Sequence, residues 1–238
     1  NFMQGDFREP EVLAQLQASG KPLMVFDRPN PNGFYVDGPV LDTAHRSFVG
    51  MHPVPLVHGM TIGEYAGMIN GEGWLKGGVR CDLTVIPCIG YDHAVFYELP
   101  VRPSPNLPNM AAVYLYPSLG LFEGTIVSVG RGTDRPFQCI GYPGAGLGGF
   151  TFTPRSVPGA KDPPYKDKLC TGMDLAEYGR FFTRLEPQLH LHWLIGFHQA
   201  CADRATFFTA FFDKLAGGTA LRTAIQAGQD EAHIRASW

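Results

Sequence analysis

Glycine and proline together exceed a fifth of this 238-residue chain, 29 and 20 residues, and they are gathered rather than spread. They crowd between Pro29 and Gly63, between Pro100 and Pro117, and between Gly141 and Pro164. Proline fixes a backbone torsion and glycine admits torsions closed to other residues, so such stretches form long, rigid loops. Loops of that kind can hold polar side chains at a ligand. Regular structure is left to the intervals, and the part beyond Leu175, nearly free of proline, reads as helical.

Hydrophobic residues are 45% of the chain, enough for a sizeable core, and the length fits one large domain or one and a half ordinary ones. Lys and Arg number 19 against 22 Asp and Glu, a formal charge of -3, and no basic run interleaves with aromatics, so a nucleic-acid partner is not expected. The longest apolar run, "LHLHWLIGF", falls short of the roughly 20 residues of a membrane span. Residues Asn1–Pro10 have neither a basic start nor an apolar block, so no signal peptide is read in this sequence. The five cysteines are odd in number, widely spaced and without a C-x-x-C pair; they read as small apolar residues rather than a zinc or disulfide framework.

The order of elements is mixed α/β without an internal repeat. Glu9–Ala18 has helical propensity and stops at Gly20; "PLMVF" and "LTVIP" are buried-strand candidates, with "PFQCIGY" and "LCTGMDL" as two more. Thr61 and Glu64 have the spacing of a capping box and predict a helix start. Apolar and aromatic residues recur at helical spacing over Tyr178–Ala200 and Ala205–Phe212, and "AGGTALRTAIQAG" and "DEAHIRASW" add two short helices. The fold expected is a mixed sheet with helices, long Gly/Pro-rich loops and a helical C-terminal segment.

Three stretches carry candidate chemistry. In "FDRPNPNG", directly after the first strand, Asp27, Arg28, Asn30 and Asn32 alternate with two prolines at the strand edge where α/β proteins bind ligands. The same residues also suit a self-bonded turn, and Arg28 is the member that asks for an anion. His58, just before the cap of the Thr61 helix, either points at a substrate or satisfies a buried turn. His190, His192 and His198 do not share one helix face as metal ligands would, so no metal is expected.

The third is "FEGTIVSVGRGT", Phe122–Thr133, where Glu123 and Arg131 stand on glycine hinges. There is no phosphate-binding loop, dinucleotide fingerprint, serine elbow or marked cysteine nucleophile, so neither a cofactor nor covalent Ser/Cys chemistry is indicated. A carboxylate in this setting suits glycoside hydrolysis, in which one acid protonates the leaving oxygen and a second carboxylate stabilises or attacks the anomeric carbon. A Glu–Arg pair bracing a glycine-rich turn is the structural alternative.

The segments "DRPNPNG", "VDGPVLD", "RSFVGMHPVPLVHGMTIGE", "DLTVIP", "SPNLPN", "YPSLGLFEGTIVSVGRGTDRPF" and "IGYP" occur in the order of the hallmark segments of the NamZ-like exo-β-N-acetylmuramidases, and the last helices resemble that family's C-terminal part. The resemblance implies an exported or cell-wall-recycling bacterial glycosidase that removes N-acetylmuramic acid from the non-reducing end of peptidoglycan fragments or muropeptides. It implies a remnant of a Rossmann-like N-terminal domain over residues 1–45 and the family's C-terminal α/β domain over 46–238. Arg28, Asn30, Asn32, His58, Ser128 and Arg131 would then bind substrate and Glu123 would be catalytic, with Arg131 a bidentate partner for the lactyl carboxylate.

The family's P-E-H-G motif, whose glutamate is its leading catalytic candidate, is not found in this sequence. The expectation is therefore that these residues hold the C-terminal part of the family and a part of its active site. A glycosidase, a carbohydrate-binding module without turnover and a structural domain are the three classes to separate.

Overall fold

The computed structural model describes residues 20–238, so the helix expected over Glu9–Ala18 lies outside the described residues. In chain order the strands are β1 Leu23–Phe26, β2 Asp37–Val40, β3 Pro55–Val57, β4 Leu83–Ile86, β5 Cys139–Tyr142, β6 Phe150–Phe152 and β7 Cys170–Asp174. The α-helices are α1 Ile62–Gly71, α2 Met110–Leu119, α3 Ala176–Phe181, α4 Leu191–Ala200, α5 Phe212–Ala216, α6 Ala220–Gln226 and α7 Glu231–Arg235. The chain forms two compact units. One contains the described residues up to Phe34 and His58–Tyr97; the other contains Tyr35–Val57 and Glu98–Trp238. This partition differs from a break at residue 45, because β1 finds its partner beyond the loop, in β4.

In the first unit β1 and β4 run parallel in register from Leu23 opposite Leu83 to Phe26 opposite Ile86. The strands alternate, with Leu23 on the face that packs beside Ile69 and Leu75, and Met24, Phe26 and Ile86 exposed. Helix α1 starts where the capping box predicts: Thr61 Oγ1 accepts the Glu64 N–H at 3.2 Å and Glu64 Oε2 accepts the Thr61 N–H at 2.7 Å. The Thr61 hydroxyl and the Gly63 N–H both donate to Asp27, at the end of β1, each at 2.7 Å. Strand end and helix start are thereby tied by one carboxylate.

The second unit has a two-stranded antiparallel pair, β2 with β3, and a three-stranded antiparallel sheet in the order β5-β7-β6. The mixed α/β class holds, but as three small sheets across the two units rather than one mixed sheet. The core gathers Leu115, Leu119, Phe122, Phe137, Ile140, Phe197, Phe207 and Phe212. Each such side chain contributes about 1.5–3 kcal/mol by leaving water.

Two helix expectations are corrected. The Tyr178–Ala200 pattern is interrupted between α3 and α4, where Pro187 has no N–H for a helical ladder. Over Ala205–Phe212 only the short 3-10 turn Arg204–Thr206 precedes α5; the Phe207 carbonyl and Thr209 N–H instead bond Ile126 and Gly124. Among the described residues no helix is long and apolar enough to cross a membrane.

Candidate active site

The segment from Glu123 to Thr133 is shaped by hydrogen bonds that start at the end of α2. That helix opens on Asn109, whose side chain accepts the Ala112 N–H, and runs into the 3-10 turn Gly120–Gly124 that carries Glu123. The Thr125 hydroxyl donates to the Phe122 carbonyl at 2.8 Å and accepts the Val127 N–H at 3.0 Å, which turns the chain out of the helix. Beyond it the backbone is held on two sides: the Ile126 N–H donates to the Phe207 carbonyl, and Ser128 exchanges two bonds with Gly141. Gly130 and Gly132 then take φ of 73° and 84°, the left-handed region where a side chain is strained, and the loop closes with the Thr133 hydroxyl on the Gly130 carbonyl at 2.7 Å.

This path returns Arg131 to Glu123. Arg131 Nε donates to Glu123 Oε1 at 2.8 Å, and Nη2 lies 2.7 Å from the same oxygen. The guanidinium also lies over the Phe137 ring, 4.9 Å from its centroid, so one face is fixed by an aromatic and one edge by a carboxylate. Both side chains stay open to water, 29% for Arg131 and 26% for Glu123. Tyr116 stands near the pair: burial pushes its phenol above the ordinary value, and the Glu123 carboxylate adds to the rise while Arg131 opposes it.

A cavity of about 310 Å³ opens beside the pair, with Ile126, Val129 and Pro164 among its apolar walls and Ser128 and Tyr165 among its polar ones. Its hydroxyls each take part in a hydrogen bond within the protein. Ser128 Oγ, nearly inaccessible at 1% exposure, accepts the Gly130 N–H at 3.2 Å, and the Tyr165 hydroxyl donates to the Ile126 carbonyl at 2.6 Å. Thr125 is committed to its own turn. Among the described residues the charged groups that line it are Glu123 and Arg131, a carboxylate and a guanidinium at the edge of an apolar hollow.

The first unit holds the other candidates. Arg28 is exposed, and among the described residues its guanidinium makes no ion pair; its N–H donates to Asp27 Oδ1 at 2.8 Å. Asn30 is committed to the loop: Oδ1 accepts the Asn32 N–H at 2.9 Å and Nδ2 donates to the Met60 carbonyl at 2.9 Å. His58 Nδ1 accepts the Met60 N–H at 3.1 Å, its ring stacks on Tyr65 at 5.1 Å, and burial lowers its pKa, so it is a neutral ring carrying its proton on Nε2. Asn30 and His58 thus meet at Met60. His190 and His192 are neighbours at 5.7 Å between ring centroids, whereas His198 stacks on Phe208.

Glu123, Ser128 and Arg131, singled out from sequence, come together at one cavity. Tyr165 was not foreseen, because it reaches the site through a contact with Ile126 far along the chain, and Phe137, six residues after Arg131, carries no local signature of its place under the guanidinium.

Comparison with known proteins gives consistent results across the chain. The family profile described as "Exo-beta-N-acetylmuramidase NamZ, N-terminal" matches residues 10–111, and the profile of the C-terminal part matches 114–238. The expectation that only the C-terminal part is represented is corrected by the first match. The peptidoglycan beta-N-acetylmuramidase NamZ of Bacillus subtilis (strain 168) is 36% identical over 242 residues, covering 94% of this chain and 57% of that protein. A crystal structure of a DUF1343 family protein from Bacteroides fragilis NCTC 9343 is similar at TM-score 0.90 and 46% identity, over 96% of this chain and 65% of that one. A second DUF1343 protein of the same organism, at 22% identity and TM-score 0.69, shares the fold. The chain thus spans less than two thirds of the length of these relatives. With both profiles matched in tandem, the chain belongs to the NamZ exo-β-N-acetylmuramidase family.

Proposed function

We propose that this chain serves exo-cleavage of peptidoglycan fragments, releasing N-acetylmuramic acid from their non-reducing ends. The observation that carries the reading is the apolar-walled cavity at whose edge one Glu–Arg pair stands. Muramic acid differs from other amino sugars by a lactyl ether, a methyl beside a carboxylate. Arg131 keeps Nη1 for that carboxylate, and the apolar walls suit the methyl and the sugar ring. Glu123 Oε2 has no partner among the described residues and supplies the carboxylate for the reacting centre. Its task is to stabilise positive charge at the anomeric carbon or to handle the proton of the leaving oxygen.

Arg28, Asn30, Asn32 and His58 are proposed, within the first unit by itself, as sugar-binding residues. The β1–α1–β4 unit, parallel strands joined across a helix, supports a Rossmann-like origin for that part. Peptidoglycan as substrate accords with an exported protein, periplasmic or at the cell surface.

The test is the full chain incubated with a chromogenic β-N-acetylmuraminide. Release of free N-acetylmuramic acid is expected, with Glu123→Gln slower by at least about a hundredfold, the usual scale of acid–base loss. A second reading rests on a specific observation: among the described residues Glu123 is the one carboxylate that lines the cavity, and hydrolysis of this type uses two. Saturable binding of N-acetylmuramic acid without release would favour a binding role for this chain. Neither binding nor release would overturn both.

A further inference from the structure

The segment Tyr91–Phe96 is tied three times to the loop that carries Arg28, Asn30 and Asn32. The Tyr91 hydroxyl donates to the Asn30 carbonyl at 3.0 Å and accepts the Asn30 N–H at 3.2 Å, so both backbone valences of Asn30 go to one side chain. Phe96 meets Phe34 edge-on, with 4.9 Å between centroids. Between them His93 places Nδ1 2.9 Å from the Gly33 carbonyl and Nε2 2.9 Å from Glu64 Oε1, on the first turn of α1. The approach is close enough to exclude a methyl group, since a Cβ at Gly33 would stand 2.5 Å from the Tyr91 hydroxyl oxygen.

The two partners of His93 settle its chemistry. A carbonyl and a carboxylate have no proton to give, so both ring nitrogens must donate, which a neutral imidazole cannot do. The arrangement is complete only as the imidazolium. Tyr91 and His93 have no part in the hydrolytic reading above, and neither stood out in the sequence.

We propose that Tyr91 and His93 are positioning residues, and that protonated His93 straps the Arg28–Asn32 loop to helix α1 so that affinity for an acidic amino sugar follows the ionisation of a ring that does not touch it. This rests on the reading that the loop contacts the sugar. The charged groups around the ring are Glu64 from α1 and Asp92 from its own segment, with Asp27 acting on neighbouring Tyr91. The hydrogen bond donated to Glu64, then the one to the Gly33 carbonyl, raise His93 above its ordinary value of 6.5. Burial works to raise Glu64, but the Thr61 N–H and His93 outweigh it and lower the carboxyl. The strap is therefore complete between the lowered titration of Glu64 and the raised titration of His93, and it opens as pH rises through the latter. Both side chains are 47% exposed, so salt weakens the tie as well.

The experiment is NMR on the full chain, following the His93 ring and the backbone amides of Asn30, Asn32 and Gly33 through a pH titration. Calorimetric titration with N-acetylmuramic acid at about pH 6 and about pH 9, either side of an ordinary to raised histidine, accompanies it. The amides should move with the midpoint of the His93 ring, and affinity should fall several-fold at the higher pH. His93→Gln should remove both dependences. Tyr91→Phe should weaken affinity while leaving the ring midpoint in place. Amides that ignore the His93 titration, or a His93→Gln variant that keeps the pH dependence, overturn the strap. Absence of sugar binding at both pH values overturns the sugar reading and the link to affinity, while the amides still decide the strap.

Discussion

Arg131 brings two nitrogens, Nε at 2.8 Å and Nη2 at 2.7 Å, to a single oxygen of Glu123, so the pair meets side to end rather than fork to fork. One carboxylate oxygen and one guanidinium nitrogen are thereby kept out of the pair, and both belong to groups that line the cavity. A lysine cannot reproduce this, since its ammonium is a point charge without the planar fork that also stacks on Phe137. Arg131→Lys should raise KM for a muraminide while changing kcat less, whereas Glu123→Gln should lower kcat. Neither change should cost more than about 1 kcal/mol of stability, the scale of a pair open to water. Steady-state kinetics with thermal melting separates the two roles, and equal losses of kcat in both variants would show that the pair acts as one unit.

How much of this was legible follows how local each device is. The Thr61–Glu64 box needs a window of four residues, and the structure has it as read. The proximity of Glu123 and Arg131 is also short in sequence, but the direction of approach depends on Phe207 and Gly141, far along the chain. Helix α2 was hidden because it lies at the edge of a proline-rich stretch and contains Pro117, although Asn109 caps it with the usual side-chain bond. The aromatic run at Phe207–Phe212 has helical spacing, yet Phe207 and Thr209 bond the strand-like segment at Gly124–Ile126, a non-local pairing that outweighs local preference. Tyr165 is the extreme case, a cavity wall held at φ 57° with no sequence signal.

Gly132 should be one of the least replaceable residues of the site loop. At φ 84° an added Cβ would come 2.6 Å from both the Arg155 carbonyl oxygen and Pro163, next to the Pro164–Tyr165 wall. Gly132→Ala is expected to cost roughly 1–3 kcal/mol through strain and to weaken sugar binding by displacing that wall. Gly144 is the control: its φ is 76° but nothing lies within 4 Å of the added atom, so alanine there should carry the torsional cost without the change in binding. Urea unfolding with sugar titration on both variants makes the comparison.

Asp37 joins the β2 strand to the C-terminal helix. Its carboxylate accepts the Leu189 N–H at 2.6 Å and Arg235 Nη1 at 2.9 and 2.7 Å, while Arg235 Nη2 reaches the Leu189 carbonyl and Glu231. Removing either partner strands the other in a largely buried place. Asp37→Ala and Arg235→Ala should each cost roughly 3 kcal/mol. The double variant should cost little more than one of them, because the residues share a network. Additive losses in a denaturant double-mutant cycle would show that the two act separately.

Acid should loosen the second unit in two windows, and His190 and Glu231 carry the largest histidine and carboxylate shifts in them. His190 is 2% exposed; burial, with the neighbouring His192 adding to it, pushes its pKa down from 6.5 to about 4. The Tyr178 hydroxyl donates to Glu186 at 2.8 Å and lies 3.2 Å from His190 Nδ1, so Nδ1 carries the ring proton and Nε2 is left as a bare acceptor. Between 6.5 and about 4 the unfolded chain holds a proton that the native chain refuses, so stability falls as pH is lowered through that window. Glu231 acts below it. Burial would raise its carboxyl, but the His192 ring 3.6 Å away and the hydrogen bonds from Arg235 prevail and bring it to about 2 from 4.5, so its contribution is intact above 4.5 and is lost as pH falls toward about 2. His190→Phe keeps a ring against Tyr178 and Trp193 and removes this titrating group, so the melting temperature should lose a part of its slope in the upper window, the rest belonging to His52, His58 and His198, which burial also lowers. Glu231→Gln should flatten the lower one while the upper slope persists and extends slightly lower, since the Glu231 charge holds His190 up. A His190→Phe variant with the wild-type slope would mean that the acid sensitivity belongs to another group.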